Sequence, residues 1–294
     1  MDWNEYRQVY LSFELSMAQT AIIAHQSAYI LEDYPNNLPP DVSDKITETM
    51  KKFVEAASQT VEETQELDFE KLLKDREPET YTAMQSFLPT LMMGICNWHS
   101  GRDPWDVDFA KLVYSQQLAM AFAHFDAFLG DTLRTMLNVQ PNILRKNRQV
   151  TWDTIIKLGS WERLIEHMME DFVYKVGRRS AKEKMDFFLD EFNFDLQLSD
   201  QEIDAITEGE RLRHLIVHNG GRVNADYLNR TKMKNMNIGD QISIDYLQVF
   251  DVCIALHKAA YNLYVQVSRS FFKTEETGIN PVPVYYAYRR LFDT

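Results

Sequence analysis

The chain has 294 residues, of which 45% are hydrophobic and 26% are charged, a composition typical of globular proteins and unlike that of disordered ones. Only ten glycines and nine prolines are present, which disfavours an all-β protein with its many tight turns. The formal net charge of −13 disfavours a protein whose whole surface binds nucleic acid. Cys96 and Cys253 stand alone, which argues against a disulfide or a structural zinc site and predicts a reducing compartment, the cytoplasm.

Hydrophobic residues recur along the chain mostly at the spacing of helices. The pattern predicts helices over roughly 4–31, 41–65, 78–98, 106–138, 158–175, 180–191, 199–219 and 243–272. The segment GDQISI at 239–244 is predicted to be a short extended piece. No segment approaches the ~20 apolar residues that a membrane span requires, so we expect a soluble all-α protein that needs no membrane.

Charge is unevenly distributed and suggests a domain boundary. Residues 1–100 hold 17 acidic and seven basic side chains. We therefore predict an acidic helical region over 1–102, a helical domain over 103–275 and an irregular tail over 276–294. Continuous packing of the first two regions is the alternative.

Basic residues concentrate in the second region. Residues 211–234 contain six lysines or arginines and one acidic residue, Asp226. Two smaller clusters lie at 145–148 and 175–184. Each of these smaller clusters is interpreted either as solvated helix ends or as a track that holds RNA phosphates.

The predicted helix 199–219, the motif helix, carries the most informative pattern. Ser199 and Glu202 form the S-x-x-E capping box that begins a helix, and Asn219-Gly220-Gly221 is typical of a helix end. On a helical wheel Arg211, His214 and His218 lie within about 60° of one another. Arg213 falls at the edge of the apolar surface, where we expect packing and a carboxylate to hold it.

Three interpretations of RLRHLIVHNGG (211–221) are open. In the first, the basic side chains only stabilise the carbonyl end of the helix. A metal site is disfavoured, because HLIVH lacks the glutamate of HExxH and no third ligand is near. The third interpretation is a site for phosphate, since the stretch combines guanidinium groups with imidazoles that transfer protons.

The stretch RHLIVHNGGRVNADYL (213–228) resembles the motif helix of the HEPN superfamily (higher eukaryotes and prokaryotes nucleotide-binding). The signature of that superfamily is an arginine, often followed by a polar residue, and a histidine four to six positions later. Residues 111–144 and 161–196 resemble its first core helix and its middle helices, and Asp126 stands where members often carry an acid. The resemblance covers about residues 106–272 and implies an antiparallel HEPN-like helical bundle.

The resemblance implies a metal-independent endoribonuclease that leaves 2′,3′-cyclic phosphate ends and uses no cofactor. Such enzymes are effectors of bacterial toxin–antitoxin, anti-phage or abortive-infection systems, and they pair as homodimers with the motif helix at the interface. It implies a further protein as well, an inhibitor or a partner subunit. The implied catalytic residues are Arg213, His218 and His214, the supporting ones are Arg211, Asn219 and Asp126, and the RNA contacts are Arg222, Arg230, Lys232 and Lys234.

This chain departs from the family pattern in two places. The residue after the motif arginine is His214 instead of the commoner Asn or Asp, and Gly220 stands where some members carry a modified tyrosine. Helix geometry alone couples Arg211 to His218 better than Arg213, so both arginines stay candidates for the catalytic one. The alternative function is a non-catalytic HEPN-like binding or assembly protein that holds RNA, a nucleotide or a protein partner.

Overall fold

The computed structural model describes residues 2–27, 109–145, 150–231 and 236–275, with residues 280 and 283. Within these ranges lie eight α-helices and one 3₁₀ helix. They are α1 (Trp3–Ser27), α2 (Phe109–Val139), the 3₁₀ helix (Pro141–Arg145), α3 (Trp152–Leu158), α4 (Trp161–Gly177), α5 (Ala181–Phe192), α6 (Asp200–Asn219), α7 (Ala225–Arg230) and α8 (Tyr246–Phe272). The prediction of an all-α protein is confirmed.

Several predictions fall on other parts of the chain. The predicted helices 41–65 and 78–98, and all of the tail except residues 280 and 283, lie outside the described residues. None of the described helices combines the length and the apolar character needed to cross a membrane.

Local capping chemistry sets the beginnings of the longer helices. Ser180, Ser199 and Asp245 each form a complete capping box at the start of α5, α6 and α8. The short helices α3 and α7 were not predicted, because seven and six residues are too few to show a helical period. The N-cap residues Thr151 and Asn224 were the features of the sequence that could have indicated these two helices.

The core forms around α8, of whose 27 residues fourteen are buried. Helix α1 packs on it through aromatic rings: Tyr10 stacks on Tyr264 with 4.3 Å between ring centroids, and Phe13 lies 5.6 Å from His257. Helix α1 therefore belongs to the same compact unit as the helices from residue 111 onward. This grouping differs from the predicted boundary, which had placed the first helix in a separate region, 1–102.

The predicted extended piece at 239–244 pairs with the chain that leaves α6. Arg222 and Gln241 form an antiparallel bridge, and Ile242 donates its backbone N–H to the Gly221 carbonyl at 2.9 Å. Gly221 has φ +74°, a left-handed backbone conformation that glycine adopts without strain. This bridge ties the end of the motif helix to the approach to α8.

Gly209 lets α6 pack closely on its neighbours. A Cβ at this position would lie 2.7 Å from Val252 Cγ2 on α8 and 3.3 Å from Phe122 Cε2 on α2. We expect Gly209→Ala to lower the free energy of unfolding by about 1–2 kcal/mol, because overpacking outweighs the gain in helix propensity. Denaturant unfolding followed by circular dichroism measures the change.

Gly130 in α2 is the matched control. A Cβ there makes ordinary contacts, 3.4 Å to Arg134 Nη1 and 3.7 Å to Val173 Cγ1. Gly130→Ala should therefore stabilise the protein by about 0.5–1 kcal/mol. Adding Val252→Ala to Gly209→Ala should make the joint loss smaller than the sum of the two single losses. Strict additivity would contradict the packing argument.

Candidate functional site

The motif helix ends as its sequence predicts. Gly220 adopts the left-handed conformation at φ +59°, and the Gly221 N–H donates to the Leu215 carbonyl at 3.0 Å. His218 lies in the last turn, where the carbonyl end of the helix dipole attracts cations. Local sequence thus positions one of the two motif histidines.

A cleft of about 330 Å³ opens beside α6 and α7. Three arginines line it, Arg211, Arg213 and Arg230, together with His214. Its other polar lining residues are Ser180, Glu210, Asn224, Asp226 and Tyr227. The cleft therefore combines several guanidinium groups with an imidazole, the set that the sequence associates with phosphate.

Arg211 is held by neighbouring side chains. Its Nη1 lies 3.2 Å from Glu208 Oε2, and the other oxygen of Glu208 accepts a hydrogen bond from the Tyr227 hydroxyl at 2.7 Å. Burial, reinforced by Glu208, raises the pKa of Tyr227 far above its usual value. Glu208 thereby compensates the charge of Arg211 and links the motif helix to α7.

Arg213 carries a hydrogen-bond donor, its Nε, that has no partner among the described residues. Its side chain is half-buried, and its Nε is buried without a hydrogen-bond partner among the described residues. A buried donor left unsatisfied costs about 1–3 kcal/mol, and an anionic oxygen that reached this nitrogen would offset that cost. This asymmetry favours Arg213 over Arg211 as the arginine that holds a phosphate.

The sequence assigned Asp126 as a support for the motif arginine, and the structure gives it another partner. Asp126 Oδ1 lies 2.6 Å from Nζ of Lys184, a lysine that is only 4% exposed. Asp126 thus compensates the charge of a buried lysine on α5. Its ion pair is with Lys184 and not with Arg213.

Sequence reasoning missed Glu210, the carboxylate that shares the cleft with Arg213. Its Oε1 accepts the Ala181 backbone N–H at 2.8 Å. Burial raises the pKa of Glu210, whereas the Ala181 N–H and the charges of Lys184 and Arg213 oppose that rise. The i, i+3 spacing of Glu210 and Arg213 on one helix was the signal that the sequence offered.

The two motif histidines lie side by side. The ring centroids of His214 and His218 are 4.5 Å apart, with the rings tilted by 47°. Both are exposed, as is Val217 on the same part of the helix. His214 lines the cleft, and His218 lies outside the set of residues that line it.

The remaining predicted residues are dispersed. Asn219 is half-buried at the end of α6, and Arg222 is exposed within the backbone bridge. Arg230 lines the cleft, where its Nε lies 3.0 Å from Asp226 Oδ1. Lys232 and Lys234 lie outside the described residues.

Comparison of the chain with models of protein families, with curated proteins and with solved structures finds no match. In the part of the chain that the structure describes, no three His, Cys, Asp or Glu side chains are arranged to hold a metal ion. The side chains that line the cleft are therefore the basis for inferring its chemistry.

Proposed function

We propose that the chain is a metal-independent endoribonuclease of the HEPN type, an effector of a bacterial toxin–antitoxin, anti-phage or abortive-infection system. The observation that carries the proposal is the cleft in which Arg213, with its unpartnered buried Nε, lies near His214. A guanidinium with free donors binds phosphate oxygens strongly, and a planar fork suits the charge that grows on a phosphate under attack. The sequence resemblance supplies the reaction class.

The proposed reaction is an internal transesterification of RNA. One imidazole removes the proton of a ribose 2′-hydroxyl, whose oxygen then attacks the adjacent phosphorus. The bond from phosphorus to the 5′-oxygen breaks, and a second imidazole, already protonated, gives its proton to that leaving oxygen. The products are a 2′,3′-cyclic phosphate and a 5′-hydroxyl, and Arg213 stabilises the charge on the non-bridging oxygens.

The spacing of the histidines supports a homodimer as the active species. The attacking and leaving oxygens lie roughly in line on opposite sides of phosphorus. The rings of His214 and His218 are in contact, so a phosphate does not fit between them. A second protomer that presents its own motif helix would place an imidazole on the far side, and the exposed Val217 provides an apolar contact for such pairing.

The test is cleavage of mixed RNA by the purified chain with a chelator present. Arg213→Lys should lower kcat/KM about ten- to hundredfold, because lysine keeps the charge and loses the planar fork. Arg211→Lys is the matched control and should change kcat/KM only a few-fold, since Glu208 already holds that charge. Light scattering should give twice the 34.5 kDa mass of one chain.

Two results would contradict the proposal. One is the absence of cleavage of every RNA class by the wild-type chain. The other is cleavage that yields ends other than 2′,3′-cyclic phosphates. A larger loss for Arg211→Lys than for Arg213→Lys would instead reassign the phosphate-binding arginine.

A non-catalytic binding protein is the second candidate. The position of His218, exposed and outside the lining of the cleft, favours it. In that case RNA or a nucleotide would bind the cleft through Arg213 and would be released unchanged. Binding that is weakened by Arg213→Ala, without any cleavage by wild type, would establish this function.

A further inference from the structure

His214 and His218 form an exposed pair of imidazoles on the motif helix, and we name them the histidine pair. The two residues are four positions apart in α6, so their side chains lie on the same side of the helix on adjacent turns. Both are exposed, and their ring centroids lie 4.5 Å apart. Imidazole is the commonest side-chain ligand of metal ions in proteins. The helix therefore presents two such ligands to the same point in solvent.

The separation of the two rings fits one geometry of metal coordination. An imidazole nitrogen lies about 2.0 Å from the ion that it binds, which places the ring centre about 3 Å from that ion. Two ring centres 4.5 Å apart then subtend an angle of roughly 90° at the ion. Right angles between ligands are those of square-planar and tetragonal sites, which Cu²⁺ and Ni²⁺ prefer, whereas the tetrahedral sites of Zn²⁺ hold ligands further apart. The histidine pair therefore favours Cu²⁺ or Ni²⁺.

The surrounding charges permit a cation beside the histidine pair. Two of the three arginines that share the cleft with His214 are already paired with a carboxylate, at 3.2 Å and 3.0 Å. The third, Arg213, shares the cleft with the carboxylate of Glu210. His218 lies in the last turn of α6, where the carbonyl groups of the helix end favour positive charge. The carboxylates and the helix end thus offset the repulsion that the guanidinium groups would exert on a metal ion.

We propose that the histidine pair binds Cu²⁺, and Ni²⁺ more weakly, and that the bound ion inhibits RNA cleavage. Two protein ligands leave the other positions of the ion to water, so the ion binds reversibly and takes no part in the reaction. A neutral imidazole accepts a proton through the one ring nitrogen that carries no hydrogen, and a metal ion bound there prevents that transfer. The inhibition rests on the proposed function, whereas the binding of the ion does not.

The first experiment measures the binding of Cu²⁺ apart from cleavage. The full chain, free of any affinity tag, is titrated with Cu²⁺ in a calorimeter, and electron paramagnetic resonance identifies nitrogen ligands from their hyperfine coupling. His214→Gln or His218→Gln should weaken binding about tenfold or more, because a single imidazole remains. His167→Gln removes an exposed histidine on α4 and should leave the affinity unchanged. Cu²⁺ should also raise the melting temperature of wild type and not that of the double glutamine variant.

The second experiment measures inhibition of cleavage by wild type. Cu²⁺ at about ten times its dissociation constant should lower kcat/KM about tenfold, since only about one site in ten then remains free. Excess chelator should restore the rate. Ni²⁺ should inhibit in the same way at higher concentrations, because it binds imidazole more weakly, and Mg²⁺ should not inhibit, because it prefers oxygen ligands.

Three outcomes would overturn the inference. These are equal Cu²⁺ affinity of wild type and the double glutamine variant, an equal loss of affinity in His167→Gln, or Cu²⁺ that binds the histidine pair without slowing cleavage. Equal melting temperatures of the metal-free proteins show that the glutamine variants are folded. Failure of the metal site leaves RNA cleavage by wild type intact. Cu²⁺ bound by the histidine pair of a wild type that cleaves no RNA refutes the catalytic proposal and the inhibition with it, and establishes the metal site alone.

Discussion

His218→Ala should lower kcat for RNA cleavage by about 10²–10⁴-fold, the range expected when a general acid or base is removed. His218 lies in the last turn of α6, exposed to solvent, where its imidazole is open to a bound RNA. Single-turnover cleavage of a defined RNA measures the effect. The binding constant for uncleaved RNA should change far less, because Arg213 is retained.

His167 offers the matched control for this variant. It is an exposed histidine on α4 and does not line the cleft, so His167→Ala should cleave RNA at the wild-type rate. Growth provides a second readout, since expression of an active ribonuclease should slow growth and His218→Ala should relieve it. Equal rates for wild type and His218→Ala would refute a catalytic role for His218.

The second large effect that we expect is on stability: lowering the pH should lower the free energy of unfolding through His257. This residue is fully buried among aromatic rings, including those of Tyr10 and Phe13, and burial lowers its pKa to about 4. An unfolded histidine has a pKa near 6.5. Between about pH 6.5 and 4 the unfolded chain therefore binds a proton at this residue that the folded chain does not.

The sign and size of the effect follow from that difference. The contribution of neutral His257 is fully present above about pH 6.5 and is lost as pH falls towards 4, with a total of about 3 kcal/mol. Denaturant unfolding of wild type and His257→Phe across this range measures it, because the other titrating groups are common to both proteins. The stability difference between them should shift by about that amount in favour of phenylalanine. A difference that stays constant with pH would show that burial does not depress this pKa.

The bounds of the longer helices could be predicted because they depend on local chemistry. Ser199 with Glu202 begins α6 through bonds within four residues, and Asn219-Gly220-Gly221 ends it through a left-handed backbone that glycine adopts without strain. The all-α class followed from spacing alone in the same way. The short helices α3 and α7 were not predicted, because one or two turns are too short to show a helical period.

The tertiary structure decided which side chains pair with the charged residues of the site. The family pattern favoured Arg213 and kept Arg211 as the second candidate. In the structure the guanidinium of Arg211 lies beside Glu208, whose other oxygen accepts a hydrogen bond from Tyr227 on α7. Asp126 pairs with Lys184, 58 positions further along the chain, a contact that no local pattern encodes.

The contacts of helix α1 are a second example of long-range packing. Its acidic flank suggested a separate region, whereas its aromatic residues pack on α8 more than 200 positions away. Thus the sequence by itself determined the helical class, the ends of the motif helix and the residue types of the site. Only the tertiary structure decided which charges are compensated, which donor is left unsatisfied and which rings are exposed, because these depend on long-range packing.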